Sequence, residues 1–337
     1  MRARLVSVVV LNYNGAHLLR DCLESLLAQD YPEIEILVVD NGSVDDSRKL
    51  VGGYKDVRWV GLLRNEGLGP GYNAGAREAK GERLFFVNND TRFAPDCVSQ
   101  LVNAFRHDDI LAADPLQMNW EGQRVIHGAQ RFRLGWSYLS FGVPFLYPYQ
   151  DLEEEKETEV PWGCAGALMF DRVKFDALGG FDSTFFTYYE DVDICWRGWL
   201  RGWRTIFVPA SRVFHKVGET EDAKLREHNP SLANAGAPLV NSRRRLSHCK
   251  NAQRFIMKTM PWRMVAATLV VDATKALGNL LAGRPGASLL RAKATALNLK
   301  ELPEILGLRR TVFRESVTTS DALMARWGRH THVISSS

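Results

Sequence analysis

Two groups of side chains in this 337-residue chain have the make-up for chemistry. The first is Asn88-Asn89-Asp90, two amides and a carboxylate that end the apolar run Leu84-Phe85-Phe86-Val87. The second lies far along the chain, where Gly179-Gly180-Phe181-Asp182 leads through Tyr188 and Tyr189 to Glu190-Asp191 and Asp193. A carboxylate can ligate a divalent cation through oxygen, or take the proton of an attacking hydroxyl. Each cluster alone also has an ordinary reading. Asn-Asn-Asp makes Asx turns, and Glu190, Asp191 and Asp193 suit the first turn of a helix.

The elements around the first cluster repeat. Leu5–Leu11 reads as a buried strand broken by Asn12-Tyr13-Asn14-Gly15, and 17–29 has helical spacing. Ile34–Val39 is a second strand ending in Asp40-Asn41-Gly42-Ser43, with Ser43 and Asp46 as a capping box for a helix to Val51. Val57–Val60 is a third strand, Gly71–Lys80 a helix and Arg83–Val87 a fourth strand. Alternation of this kind predicts an α/β fold with a mostly parallel sheet flanked by helices. Polar residues then collect at the carboxyl ends of parallel strands, where such sheets bind ligands. The glycines of Asn65-Glu66-Gly67-Leu68-Gly69-Pro70-Gly71 and Asn73-Ala74-Gly75 admit close backbone approach.

Taken in order, Ser7–Asn14, Val38–Asp45, Asn65-Glu66-Gly67 with Asn73-Ala74-Gly75, and Asn88-Asn89-Asp90 resemble the nucleotide-sugar half of glycosyltransferase family 2. That family is inverting and has the GT-A (Rossmann-like) fold; the likeness leans toward bacterial rhamnosyltransferases of cell-wall and surface polysaccharide synthesis. The resemblance implies a nucleoside-diphosphate sugar site (dTDP or UDP) from Asn12, Tyr13, Asn14, Asp40, Asn41, Asn65, Gly67, Asn73, Asn88 and Asn89. Asp40 would contact the base and Asp90 a divalent cation, Mn²⁺ or Mg²⁺. The triplet departs from the acidic form of the motif at Asn88, which brings hydrogen bonds but no charge. The resemblance further implies Asp191 as catalytic base, an acceptor side from Trp162, Gly163, Gly180, Asp182 and Glu190, and His215 as a second metal ligand. A helix N-terminus would lower the pKa of Asp191, and burial beside Tyr188 and Tyr189 would raise it.

The rest of the chain is less explicit. A helix is expected over 96–106, a strand over 110–113 and another over 203–209. Aromatic residues crowd 117–149, including Trp136, Tyr138 and Phe141, and six carboxylates within Asp151–Glu159 read as a solvated loop. The expected division is a catalytic domain over 1–220 (nucleotide half 1–115, acceptor half 116–220), then a loop and amphipathic helices over 221–337. The loop, 219–241, suits closure over substrate, and the tail from 331 is expected to fray. In the helix 262–281, Val265, Leu269, Leu277 and Leu280 share an apolar side, with Asp272, Lys275 and Asn279 elsewhere. Basic residues from Arg243 to Lys258 precede it, which suits peripheral membrane contact, a packed cap or a homo-oligomer interface.

A net charge of +4 gives no ground for nucleic-acid binding. Five dispersed cysteines without a CxxC suit a reducing, cytoplasmic setting, with the inner face of the cell membrane as the place of any peripheral contact. Met1–Arg4 is basic like a signal sequence, but no small-residue cleavage site follows, and no 18-residue uninterrupted apolar run predicts a spanning helix. The function expected is metal-dependent inverting transfer of a hexose or deoxyhexose, rhamnose from dTDP-rhamnose for instance, to a saccharide or lipid-linked acceptor. The alternatives are a non-catalytic nucleotide-sugar or glycan-binding protein and a sugar nucleotidyltransferase.

Overall fold

A computed structural model describes residues 4–135, 145–216 and 242–328. Trp136, Tyr138, Phe141, the 219–241 loop and the tail from 331 lie outside the described residues.

β1 (Val6–Asn12), β2 (Ile34–Asp40), β3 (Val57–Gly61) and β4 (Arg83–Asn88) form the parallel core, joined by α1 (Ala16–Leu27), α2 (Ser47–Val51) and α3 (Leu68–Glu78). Side chains alternate between the sheet faces, as strand geometry requires. Val6, Val8, Val10, Phe85 and Val87 pack with α1 on one face, and Val9, Leu84 and Phe86 pack with Tyr72 of α3 on the other.

The second half adds β5 (Thr91–Phe93), α4 (Cys97–Ala104), β6 (Ile110–Asn119), β7 (Val125–His127), β8 (Ala129–Gly135), β9 (Phe145–Asp151), β10 (Thr158–Val160), β11 (Ala167–Asp171), α5 (Arg172–Ala177), α6 (Glu190–Leu200) and β12 (Arg204–His215). The main sheet runs β10-β12-β6-β11-β4-β1-β2-β3, with β5 on β12 and β7 on β6, while β8 and β9 form a separate hairpin. Here the sheet turns mixed. β11 is antiparallel to both β4 and β6, and only β12 with β6 restores a parallel pair. That reversal brings the turn before β11 to the carboxyl end of β4.

Several sequence expectations change in detail. Ser43 caps no helix; its hydroxyl is bonded to Asp40, and α2 starts without a side-chain cap. Residues 91–93, read as loop, form β5, and the strand at Ile110 continues to Asn119. The acidic run is not simply solvated: it ends in β10, and Glu154 and Glu159 pair with Arg131 and Arg204.

Beyond the sheet stand α7 (Ser242–Thr259), α8 (Trp262–Leu281), α9 (Pro285–Lys300), α10 (Leu302–Arg314) and α11 (Ser320–Gly328). They join the sheet domain through a core of Phe185, Trp196, Trp199, Phe255, Met260, Leu323 and Trp327. In α8, Val265 is buried and Leu269 packs inward, but Leu277 and Leu280 are each 57% exposed, and Asp272 turns inward to Gln253 and Arg291. The expected faces therefore hold only for the first half of this helix. Averaged over a window, α8 is long and apolar enough to cross a membrane (mean hydropathy 1.3, 6% buried), although charges interrupt its apolar run.

Candidate active site

Register places the first cluster. Asn12 pairs with Asp40 across β1 and β2, and Leu11 with Asn88 across β1 and β4, so the ends of three parallel strands meet at one edge. Asn12, fully buried, donates to Asp40 Oδ1 at 3.0 Å and to Ser43 Oγ at 3.2 Å, and accepts from Asn89 Nδ2 at 2.7 Å. Asn14, at φ 50°, accepts from the Val44 N–H, and its own N–H donates to Ser43. Asn41 donates to Asn65 Oδ1 and Gly67 O and accepts from the Glu66 N–H, which ties the glycine loop to the edge of β2. Gly67 has φ +98°, and a Cβ there would stand 2.4 Å from Phe186 O, so the loop fits against the segment before α6 only as glycine. Tyr13 is 50% exposed at the rim.

Two of the residues named from sequence also join the two halves of the domain, Asn73 from the lining of a surface crevice it shares with Asn65 and Glu66. Asn73 spends its amide on Phe181, donating to its carbonyl at 2.8 Å and accepting from its N–H at 3.0 Å. Gly180 faces that amide, its absent Cβ 2.6 Å from Asn73 Oδ1. Asp182 is held by Lys258 of α7 at 2.6 Å, and that ammonium, with the Thr184 N–H and hydroxyl, keeps its carboxyl well below the usual range despite burial. Lys258 also reaches Asp193, which pairs with Arg197.

Asp90 follows β4, and β12 returns antiparallel to β5 with His215 beside Thr91. His215 Nε2 then lies 3.1 Å from Asp90 Oδ1, a buried oxygen without a hydrogen bond of good geometry. Two ligands of one octahedral ion, each about 2.1 Å from it, stand about 3 Å apart. Gln117 meets the other ring nitrogen at 3.0 Å, which leaves Nε2 turned toward Asp90. The pair fits a divalent cation. Among the described residues no group of three or more His, Cys, Asp or Glu could hold a metal, so further ligands would come from substrate or water. Asn88 accepts from the Tyr72 hydroxyl at 3.0 Å.

On the other side, Tyr188 and Tyr189 both have positive φ (70° and 73°) before α6, a costly backbone for bulky residues. Asn251 of α7 secures it by donating to the carbonyls of Thr187 and Tyr188, each at 2.9 Å. Asp191 accepts from the N–H of Ala165 at 3.1 Å and of Val192 at 2.8 Å. Burial outweighs these bonds, and its pKa is raised. Glu190 is 4% exposed, its Oε2 has no hydrogen-bond partner, and burial with the charge of Asp191 pushes its pKa up to about 8.

Gly163 packs on Leu168 and on Asp114, a buried carboxylate that accepts from the Cys164 N–H and meets His127 at 3.0 Å. Trp162, Glu190 and Asp191 line a cavity of about 700 Å³ that reaches the C-terminal helices. Asp114, Gln117, His127, Asn251 and Lys258 were not anticipated from sequence. Asp114 closes an apolar run as Asp40 and Asp90 do, which was a usable signal, whereas the others act only through contacts distant in sequence.

With this geometry in view, the comparisons are specific. The model of "Glycosyl transferase family 2" matches residues 7–179. The N-acetylglucosaminyl-diphospho-decaprenol L-rhamnosyltransferase of Mycobacterium tuberculosis is 28% identical over 256 residues, 67% of this chain and 82% of that protein. GalNAc-T7, solved with UDP, GalNAc and Mn²⁺, superposes with TM-score 0.60 at 18% identity over 97% of this chain and 58% of that one. A mannosyltransferase of Pyrobaculum calidifontis, solved with GDP-Man and Mn²⁺, gives 0.53 at 17% identity, covering 98% and 89%. The last two speak to the fold, which is GT-A. A family match over more than half the chain decides between the alternatives of enzyme, binder and nucleotidyltransferase: the chain belongs to glycosyl transferase family 2 and is a glycosyltransferase.

Proposed function

We propose that the chain transfers a hexose or deoxyhexose, with dTDP-rhamnose as the favoured donor, to a saccharide or lipid-linked acceptor with inversion at the anomeric carbon. The observation that carries this reading is the turn 164–166, which touches both clusters. The Ala165 N–H donates to Asp191, the Gly166 carbonyl accepts from the Asn88 N–H, and a Cβ on Gly166 would stand 3.7 Å from His215. Asp191 therefore meets, across one short segment, the Asn88 and His215 edge on which Asp90 lies, an arrangement that suits a single in-line displacement.

Asp40, held by Asn12 and Ser43, faces the base at the strand edge, and Asn41 and Asn65 hold the glycine loop at the donor. Asp90 and His215 would hold Mn²⁺ or Mg²⁺, which offsets charge on the departing diphosphate. Asn88, neutral and anchored by Tyr72, would position a ribose hydroxyl or a metal-bound water. Asp191 takes the acceptor proton; its raised pKa makes it a stronger base than a solvated aspartate, and its two backbone N–H bonds fix its direction. Asp182 supports this loop through Lys258 rather than meeting substrate. The relative named for a decaprenyl-linked acceptor supports a lipid-linked acceptor here and a working position near the membrane.

The test is a melting-temperature panel of UDP-, dTDP- and GDP-sugars with and without Mn²⁺, since a ligand of the folded state raises its stability. A rise with dTDP-rhamnose that depends on Mn²⁺ is expected. If no nucleotide sugar shifts the transition under either condition, the donor assignment is wrong.

A further inference from the structure

The cavity beside Asp191 has two chemically distinct ends. α7 and α8 run antiparallel along it: Gln253 donates to Asp272 at 2.8 Å near one end, and Met260 and Met264 lie at the other. At the polar end, Glu190 and Asp191 stand with Tyr189, whose ring is 5.3 Å from that of His248. Cations gather at the same end. Lys275 and Arg291 line the cavity there with Asp272, which pairs with Arg291 at 2.5 Å. Lys275, exposed at the mouth, and Arg291 are thus the cations that line this end of the cavity. The far end is walled by Trp196, Met260, Met264 and Met324, apolar and, through methionine, adaptable in shape.

A sugar alone has no use for a methionine-lined slot, and an anion alone has no use for it either. We infer that this cavity binds the acceptor as an amphiphile: its hydroxyl at Asp191, a phosphate or diphosphate at Lys275 and Arg291, and the first part of an aliphatic chain in the slot between α6, α7, α8 and α11. The unpartnered, buried Glu190 Oε2 aimed at the polar end supplies an acceptor for a second sugar hydroxyl. The inference rests on the transfer reading above and goes beyond it by assigning the C-terminal helices a substrate role.

The test uses farnesyl diphosphate as the probe on the full chain, in EDTA so that a cation cannot draw it to Asp90, with binding followed by calorimetry. It is expected to bind at least about tenfold more tightly than inorganic diphosphate or farnesol. Lys275→Glu, at an exposed position, should weaken it about fivefold or more without lowering the melting temperature. Thr268→Trp, which fills the slot from α8, should erase the advantage of the prenyl chain and leave inorganic diphosphate binding unchanged. Equal affinity for farnesyl and inorganic diphosphate, or farnesyl diphosphate binding untouched by both substitutions, overturns the inference. The melting panel separates the two readings. If dTDP-rhamnose stabilises the chain but farnesyl diphosphate fails these comparisons, only the cavity assignment falls. If farnesyl diphosphate passes and no nucleotide sugar stabilises the chain, the transfer reading falls and the amphiphile site stands.

Discussion

The two sides of the site are built in opposite ways. On the proposed donor side, Asp90 apart, the polar residues satisfy one another: Asn12, Asp40, Ser43 and Asn89 form one hydrogen-bonded set at the strand ends, and Asn41 with Asn65 a second. On the acceptor side Glu190 is buried with an unpartnered oxygen, Asp191 has a raised pKa, and two tyrosines hold a left-handed backbone. A set that is already bonded holds its shape and can offer its remaining lone pairs to a ligand. A strained, charge-bearing loop needs outside support, and here α7 supplies it through Asn251 and Lys258. The comparison teaches that the strand-end set of the proposed donor crevice is drawn from the first ninety residues, whereas the proposed acceptor side is completed by helices far along the chain.

The comparison can be broken first at the metal edge. Asp90→Ala should lower transfer roughly 10²- to 10³-fold, as expected when a group offsetting leaving-group charge is lost. The Mn²⁺-dependent rise in melting temperature with nucleotide sugar should vanish in the same variant.

Next is the support. Lys258→Met leaves Asp182 and Asp193 buried without their ammonium, and breaking a buried pair of this kind costs about 3–5 kcal/mol. Urea unfolding should show that loss. A Lys258→Met chain as stable as the wild type would mean that α7 does not carry the acceptor loop.

Glu190 sharpens the contrast through pH. Its carboxyl titrates near 4.5 in the unfolded chain and near 8 when folded. Below the lower value both states are protonated and the group costs nothing. Between the two only the unfolded chain gives up its proton, so stability falls as pH rises through this window, and above it the loss is constant. Glu190→Gln should flatten that fall when unfolding is compared near pH 4.5 and near pH 8. An unchanged slope would show that Glu190 is not the buried, uncompensated group described here.

The smallest effect is expected on the donor side. Asn12→Ala removes the hub of the amide set and should cost about 1–3 kcal/mol in stability, with a raised KM for donor. A chevron or melting curve together with donor kinetics checks it.

What the sequence made legible follows the same division. Apolar runs ending in Asn12, Asp40 and Asp90 mark strand ends by pattern alone, and parallel register does the rest. Asp182 and Asn73 suit a ligand by residue type, and what sequence does not show is that each also engages a partner that only folding brings near, Lys258 and Phe181. His215 was placed beside Asp90 by resemblance, and the antiparallel return of β12 on β5 is the physical cause. The Gln117 amide that orients it left no mark in sequence, because nothing local distinguishes that glutamine on β6 from a surface one. The inward turn of Asp272 was equally hidden, since its partners lie on α7 and α9.

The most direct test of the account is the behaviour of Asp191→Asn with dTDP-rhamnose, Mn²⁺ and an acceptor, with donor binding and transfer measured on the same preparation. Donor affinity should match the wild type, because Asp191 belongs to the acceptor side, while transfer falls by roughly 10²- to 10⁴-fold through loss of the base. Transfer near the wild-type rate would contradict the assignment of Asp191, and loss of donor binding would contradict the separation of the site into two sides.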